Sequence, residues 1–271
     1  AMPILISNIF QQLYNTMDTM IIGNILGDKS LAAIGACAAV YELLIGFALG
    51  IGNGLSIVIA RAYGAGDKKL LKRSVAASLV IGLVVTMIIM IFSKIFLYPL
   101  LKVLHTPANI IEESYSYIST ITIFVGVMFA YNLLAGLLRA IGNSLMPLVF
   151  LIISSVINVI LDLVFIGKFN MGIKGAAVAT VIAQGISAVL CLIYILKKCK
   201  ILIPDKNCFK LDRGLYGELV GQGLSMGFMM SIVSAGTIIL QSAINSLGYL
   251  IIAGHIAARK LNSFCMMPGA T

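Results

Sequence analysis

Between Pro147 and Gly167 the chain carries a single charged residue, Asp162. A run of ~20 mostly apolar residues is long enough to cross a bilayer as a helix. Lipid admits only elements that satisfy their own backbone hydrogen bonds. Similar runs occupy residues about 1–26, 30–61, 75–98, 113–138, 175–196 and 215–246, and another starts near Leu250. Charged residues are 11% of the chain and hydrophobic residues 60%, whereas soluble domains carry roughly 25% charge. The expectation is an all-α integral membrane protein.

Asp162 has Asn158 one helical turn before it, and Asp18 has Tyr14 at the same spacing. Residues at i and i+4 share a helix face. Each helix therefore presents one carboxyl and one neutral oxygen on one side. An acid at that depth costs on the order of 2.5–3.5 kcal/mol or more, and such residues face a bundle interior or a cavity. Two carboxyls, an amide and a hydroxyl suit two tasks. With both acids ionised they coordinate Na⁺ through hard oxygens; with one protonated they form a proton site. The plainer alternative is that each acid is a hydrogen-bonded link between helices.

Glu42 is a third acid inside a span, placed either against a cationic substrate in a cavity or near the outer interface. Asn53, Asn132, Gln184 and Gln241 read as hydrogen bonders between helices. The thirteen methionines fill core gaps or line an adaptable pocket. His105 and His255 have no metal-ligand partner at helical spacing. The five cysteines, Cys37, Cys191, Cys199, Cys208 and Cys265, show no CxxC or Cys/His metal spacing and read as free thiols.

The net charge of +9 does not point to nucleic acid, because Lys and Arg gather in the connections. Arg61 to Arg73, the segment after Arg139, and Lys197 to Arg213 are basic, and they follow the second, fourth and sixth spans. By the positive-inside rule those connections and the N-terminus are cytoplasmic. Six spans return the chain to its starting side, so a second half can repeat the first in parallel. Asn24, Leu26-Gly27 and Ala32 have a faint echo in Asn245, Leu247-Gly248 and Ala253. The divisions expected are a six-helix N-terminal lobe (1–200), a cytoplasmic linker (201–214) and the beginning of a C-terminal lobe (215–271). Both ends fall inside apolar runs and look cut.

Six local patterns, in order, resemble the multidrug and toxic compound extrusion (MATE) family, prokaryotic branch. They are Leu13-Tyr-Asn-Thr-Met-Asp-Thr-Met-Ile-Ile-Gly23, Leu31-Ala-Ala-Ile-Gly35, Gly64-Ala-Gly-Asp67, Arg139-Ala-Ile-Gly-Asn143 with Pro147, Asn158-Val-Ile-Leu-Asp162, and Gly175-Ala-Ala-Val-Ala-Thr180. The resemblance implies a two-lobed, twelve-helix transporter of which this chain holds the first lobe and about two helices of the second. It implies a cation site of Asp18, Asn158, Asp162 and Thr180 with Tyr14 nearby, open to H⁺ or Na⁺ as coupling ion, and no cofactor. It also implies a bending role for Pro3. Some members use an acid in the seventh span; here Ser231 stands about there and no acid follows Glu218, which favours a first-lobe mechanism.

The function so implied is efflux of small organic, cationic compounds from a monomeric full-length protein in the cell (inner) membrane, without nucleic acid. The alternative in the same superfold is a flippase for lipid-linked or polysaccharide intermediates. That activity wants a basic cavity, and no Arg or Lys lies mid-span. An intramembrane enzyme would need a nucleophile–base set or motifs such as HExxH, which the sequence lacks.

Overall fold

The computed structural model describes residues 2–104, 106–210 and 212–245, together with Ala258 and Asn262. His105, Gln241's side chain, Leu247-Gly248, the start of a further span near Leu250, Ala253, His255 and Cys265 lie outside what is described. The helices are α1 (Met2–Leu26), α2 (Asp28–Gly64), α3 (Lys68–Val103), α4 (Ile111–Ile123), α5 (Val125–Ala140), α6 (Leu145–Asp162), α7 (Ile173–Lys198) and α8 (Arg213–Asn245), with no strand among the described residues. Among the described residues five helices or helix parts are long and apolar enough to cross a membrane, or six if the bent pair α4–α5 is one span; α1, expected as the first span, is not among them. The fold is that of an all-α membrane protein. α3 turns Leu83, Met87, Ile91 and Ile95 outward, an i, i+4 stripe suited to lipid rather than water.

Three elements differ from the sequence expectation. The fourth span is two helices meeting at Phe124 with a bend of 51°. Just before the break, Thr120 Oγ1 donates to the Ser116 carbonyl and Thr122 Oγ1 to the Ile118 carbonyl. Such back-bonding loosens and bends helices, and Phe124 N–H turns to the Ile121 carbonyl, three residues back. α3 starts earlier than expected because the Asp67 carboxylate accepts the Leu70 N–H at 2.8 Å, an N-cap. It also runs through Pro99 to Val103. A proline so close to the end removes one backbone bond without dividing the helix. α6 changes at Asp162 into a six-residue π-helical turn, Leu163–Lys168.

α2 is the central strut, packed against α1, α3, α4, α5 and α8. Its Val40, Ile45, Ile51, Leu55 and Ile59 are sealed from solvent. Its glycines set the approach of α8. A Cβ built on Gly50 would lie 2.7 Å from the Met226 carbonyl oxygen and 2.8 Å from Gly227 Cα. Small residues permit such close crossings in membranes. The same helix pair is joined by the Arg61–Glu218 ion pair. Nearby, Lys72 meets Asp205 at 2.9 Å and Arg73 meets Asp212 at 2.7 Å. The linker, with short 3₁₀ turns at Lys200–Leu202 and Lys206–Phe209, is thus tied to the start of α3. This is the basic end of the bundle.

Candidate cation site

The inward face of α6 reads Leu148, Leu151, Ser154, Asn158, Asp162, the i+3/i+4 spacing of one helical stripe. Its last two members are completely buried. Asp162 is the hinge between α-helical and π-helical winding, and π turns concentrate at functional sites. The chain re-enters α7 through Gly172, whose φ of 61° is costly for any side chain bearing a Cβ. That tight return sets Thr180 opposite Asn158. Oriented to satisfy both neighbours, the Asn158 amide donates to Asp162 Oδ2 at 3.0 Å and accepts the Thr180 N–H at 3.2 Å.

α1 closes the other side. Tyr14 is buried, and its hydroxyl donates to Thr180 Oγ1 at 3.5 Å. Asp18, part-buried one turn further along, faces Asp162 within reach of a carboxyl–carboxyl hydrogen bond. The structure therefore brings Tyr14, Asp18, Asn158, Asp162 and Thr180 together from α1, α6 and α7. Glu42 is half-buried on α2, where its backbone carbonyl accepts Ser234 Oγ of α8 at 3.2 Å. Pro3 stands in the first turn of α1, about 22 Å along the helix from Asp18 at the usual rise per residue.

Two tyrosines join this group without a sequence signal. Tyr41 of α2 and Tyr117 of α4 both lie within electrostatic range of Asp18. Ser114 Oγ donates to the Ala33 carbonyl at 2.9 Å, which fixes α4 against α2 and sets Tyr117 near Cys37 and Tyr41. A hydroxyl in an apolar run is ordinary, so only the helix packing distinguishes these two. Asn132 departs from its expected role: it donates to the Met128 carbonyl of its own helix at 2.8 Å.

Asp18, Asp162, Thr180 and Tyr14 present oxygens, while the Asn158 amide turns its N–H to Asp162 and its oxygen to the Thr180 N–H. Asp162 Oδ1 is buried and has no hydrogen-bond partner among the described residues. A buried acceptor left in that condition costs ~1–3 kcal/mol, more when charged. Two facing carboxyls cannot relieve each other while both are ionised. Such a pair can share a proton or coordinate a small cation.

A sequence profile of the MatE family matches residues 3–164. The chain belongs to the MatE family. It is 31% identical over 276 aligned positions to the probable multidrug resistance protein YoeA of Bacillus subtilis, covering 99% of this chain and 60% of that protein. It is 23% identical to the multidrug export protein MepA of Staphylococcus aureus, covering 97% and 58%. Among solved structures, an inward-facing multidrug resistance MATE transporter of the MOP superfamily superposes with TM-score 0.86 at 25% identity, covering 95% of this chain and 59% of that one. An outward-facing MATE structure superposes with TM-score 0.88 at 24% identity; that likeness shows the fold. The chain thus spans about 60% of the length of the curated relatives YoeA and YpnP.

Proposed function

We propose that this chain supplies the cation-binding lobe of a multidrug efflux antiporter, which exports organic, cationic compounds in exchange for H⁺ or Na⁺. The observation that carries the reading is the pair Asp18 and Asp162, facing each other across α1 and α6 with one carboxylate oxygen of Asp162 unsatisfied. The cation is held by Asp18, Asn158, Asp162 and Thr180, with Tyr14 alongside and Pro3 permitting α1 to bend. Binding there draws α1 onto α6 and α7; without the cation, repulsion between the carboxylates favours a looser packing. Coupling follows if the exported compound prefers that second packing, since a ligand shifts an equilibrium only by its differential affinity.

The protein acts in the cell membrane as a monomer with its N-terminus in the cytoplasm, where the basic end of the bundle lies. The names of its relatives, multidrug resistance and multidrug export proteins, support the substrate class. A flippase for lipid-linked intermediates is less well supported, because no Lys or Arg is among the residues gathered at the site.

The test uses the full-length protein in proteoliposomes. Asp18→Asn and Asp162→Asn should each abolish transport of a cationic dye driven separately by a proton or a sodium gradient, while still inserting normally. Undiminished transport by both variants would overturn the reading.

A further inference from the structure

Beyond the carboxyl pair, toward the basic end, α6 and α7 go on facing each other with polar residues. On α6, Ser154 lies one turn before Asn158 and is 3% exposed. On α7, Gln184 and Ser187 follow Thr180 at helical spacing and are 8% and 0% exposed. The register between the two antiparallel helices is fixed at two points. Asn158 meets the Thr180 backbone, and Ser187 Oγ donates to the Phe150 carbonyl at 3.1 Å. Gln184 therefore stands at the level of Ser154.

Gln184 Oε1 is buried with no hydrogen-bond partner among the described residues. Ser154 directs its own proton to the Leu151 carbonyl at 3.0 Å, so its oxygen retains acceptor capacity. At this level Gln184 Oε1 is left without a donor among the described residues. One turn further on, the character changes. Leu138, Leu151, Ala188, Cys191, Ile195 and Leu202 form a continuous apolar cluster. A packed apolar layer excludes water and so bars an ion from crossing it.

We infer that Gln184 and Ser154 form a second oxygen station for the coupling cation, about 12 Å from Asp162 along the helix, and that the apolar cluster is its seal on the side of the basic end. The inference rests on the reading of Asp18 and Asp162 as the cation site and extends it by naming where the ion goes next. The ligand is H⁺ carried on water, or Na⁺, passing from carboxylate to amide oxygen with no covalent change. Gln184 does not load the cation from outside; its oxygen receives the ion after Asp162 and lowers the barrier to its onward passage.

The test measures dye transport by the full-length transporter in proteoliposomes, with proton and sodium gradients imposed separately. Gln184→Leu should leave the half-saturating cation concentration within about twofold of wild type and lower the maximal rate about tenfold or more, the split expected when loading is intact and a later step is slowed. Gln184→Glu, which restores an oxygen at that point, should recover most of the rate. If Gln184→Leu does not insert, the unbranched and oxygen-free Gln184→Met carries the same reading. A Gln184 variant that turns over at the wild-type rate overturns the second station. So does one in which loading and rate fall together, as loss of packing or of a purely structural water would produce. Asp162→Asn is run alongside. If it transports normally, the cation site itself falls and the second station with it. If it is inactive while Gln184→Leu is not, only the second station falls.

Discussion

Gly54 of α2 and Gly223 of α8 touch backbone to backbone: a methyl group on Gly54 would lie 2.7 Å from Gly223 Cα and equally close to the Gln222 carbonyl carbon. Neither atom can rotate away. Gly54→Ala should therefore force α2 and α8 apart and destabilise the protein by ~1–3 kcal/mol, the usual penalty for overpacking. Gly64→Ala, on the same helix with nothing within 4 Å of the added methyl, is the control. Thermal unfolding in detergent checks both. Equal melting temperatures for the two variants would show that the crossing yields without cost.

The hydrogen bonds around Asp162 are unequal, and so should be the effects of removing them. Asn158→Leu deprives Asp162 Oδ2 of its 3.0 Å donor inside a fully buried site. We expect a stability loss of ~1–3 kcal/mol from the stranded acceptor and no measurable cation-driven dye transport. Tyr14→Phe removes only a 3.5 Å contact to Thr180, at the outer limit of a useful hydrogen bond. Its transport rate should stay within about threefold of wild type, a difference below ~0.7 kcal/mol. A Tyr14→Phe protein as inactive as Asn158→Leu would mean that the hydroxyl binds the cation directly.

Asp212 has two roles that one substitution separates. Its Oδ2 holds Arg73 at 2.7 Å, and its Oδ1 accepts the Gly214 N–H at 3.1 Å at the start of α8. Asp212→Asn keeps a capping oxygen but loses the charge. Both partners are about a third exposed, so the ion pair is discounted to less than ~1 kcal/mol. Asp212→Ala loses the cap as well and should cost ~1 kcal/mol more. The Asp212→Asn deficit should shrink at high salt; the additional Asp212→Ala deficit should not.

Gly82 of α3 leaves room for the Phe129 ring of α5, on which an added Cβ would clash. Phe129 is 4% exposed and packed on all sides, so it cannot swing clear. Gly82→Ala should destabilise by ~1–3 kcal/mol. Adding Phe129→Leu should recover part of that loss, giving a non-additive pair in a double-mutant cycle. Strict additivity would place the cost elsewhere.

Which parts of the site were visible beforehand follows from what a helix encodes locally. Asn158–Asp162 and Tyr14–Asp18 lie one turn apart in apolar runs, and that spacing alone puts each pair on one face. Thr180 entered through the family resemblance, not through periodicity. Tyr41 and Tyr117 carried no local mark, since their nearness to Asp18 depends on α4 being fixed to α2 by Ser114 and the Ala33 carbonyl. Gln184 was legible as a polar residue in a span but not as a buried, unsatisfied oxygen.

The sequence by itself determined that the chain is a set of apolar helices joined by basic turns, with two carboxyls placed within the apolar runs. Hydrophobic run length and the cost of charge in lipid leave little alternative. Only the tertiary structure decided that the fourth span breaks at Phe124, that α6 unwinds into a π turn at Asp162, and that α8 lies in the glycine groove of α2. It alone decided that the two carboxyls face each other. These outcomes depend on which helix faces meet, and helical periodicity names the faces without naming their partners.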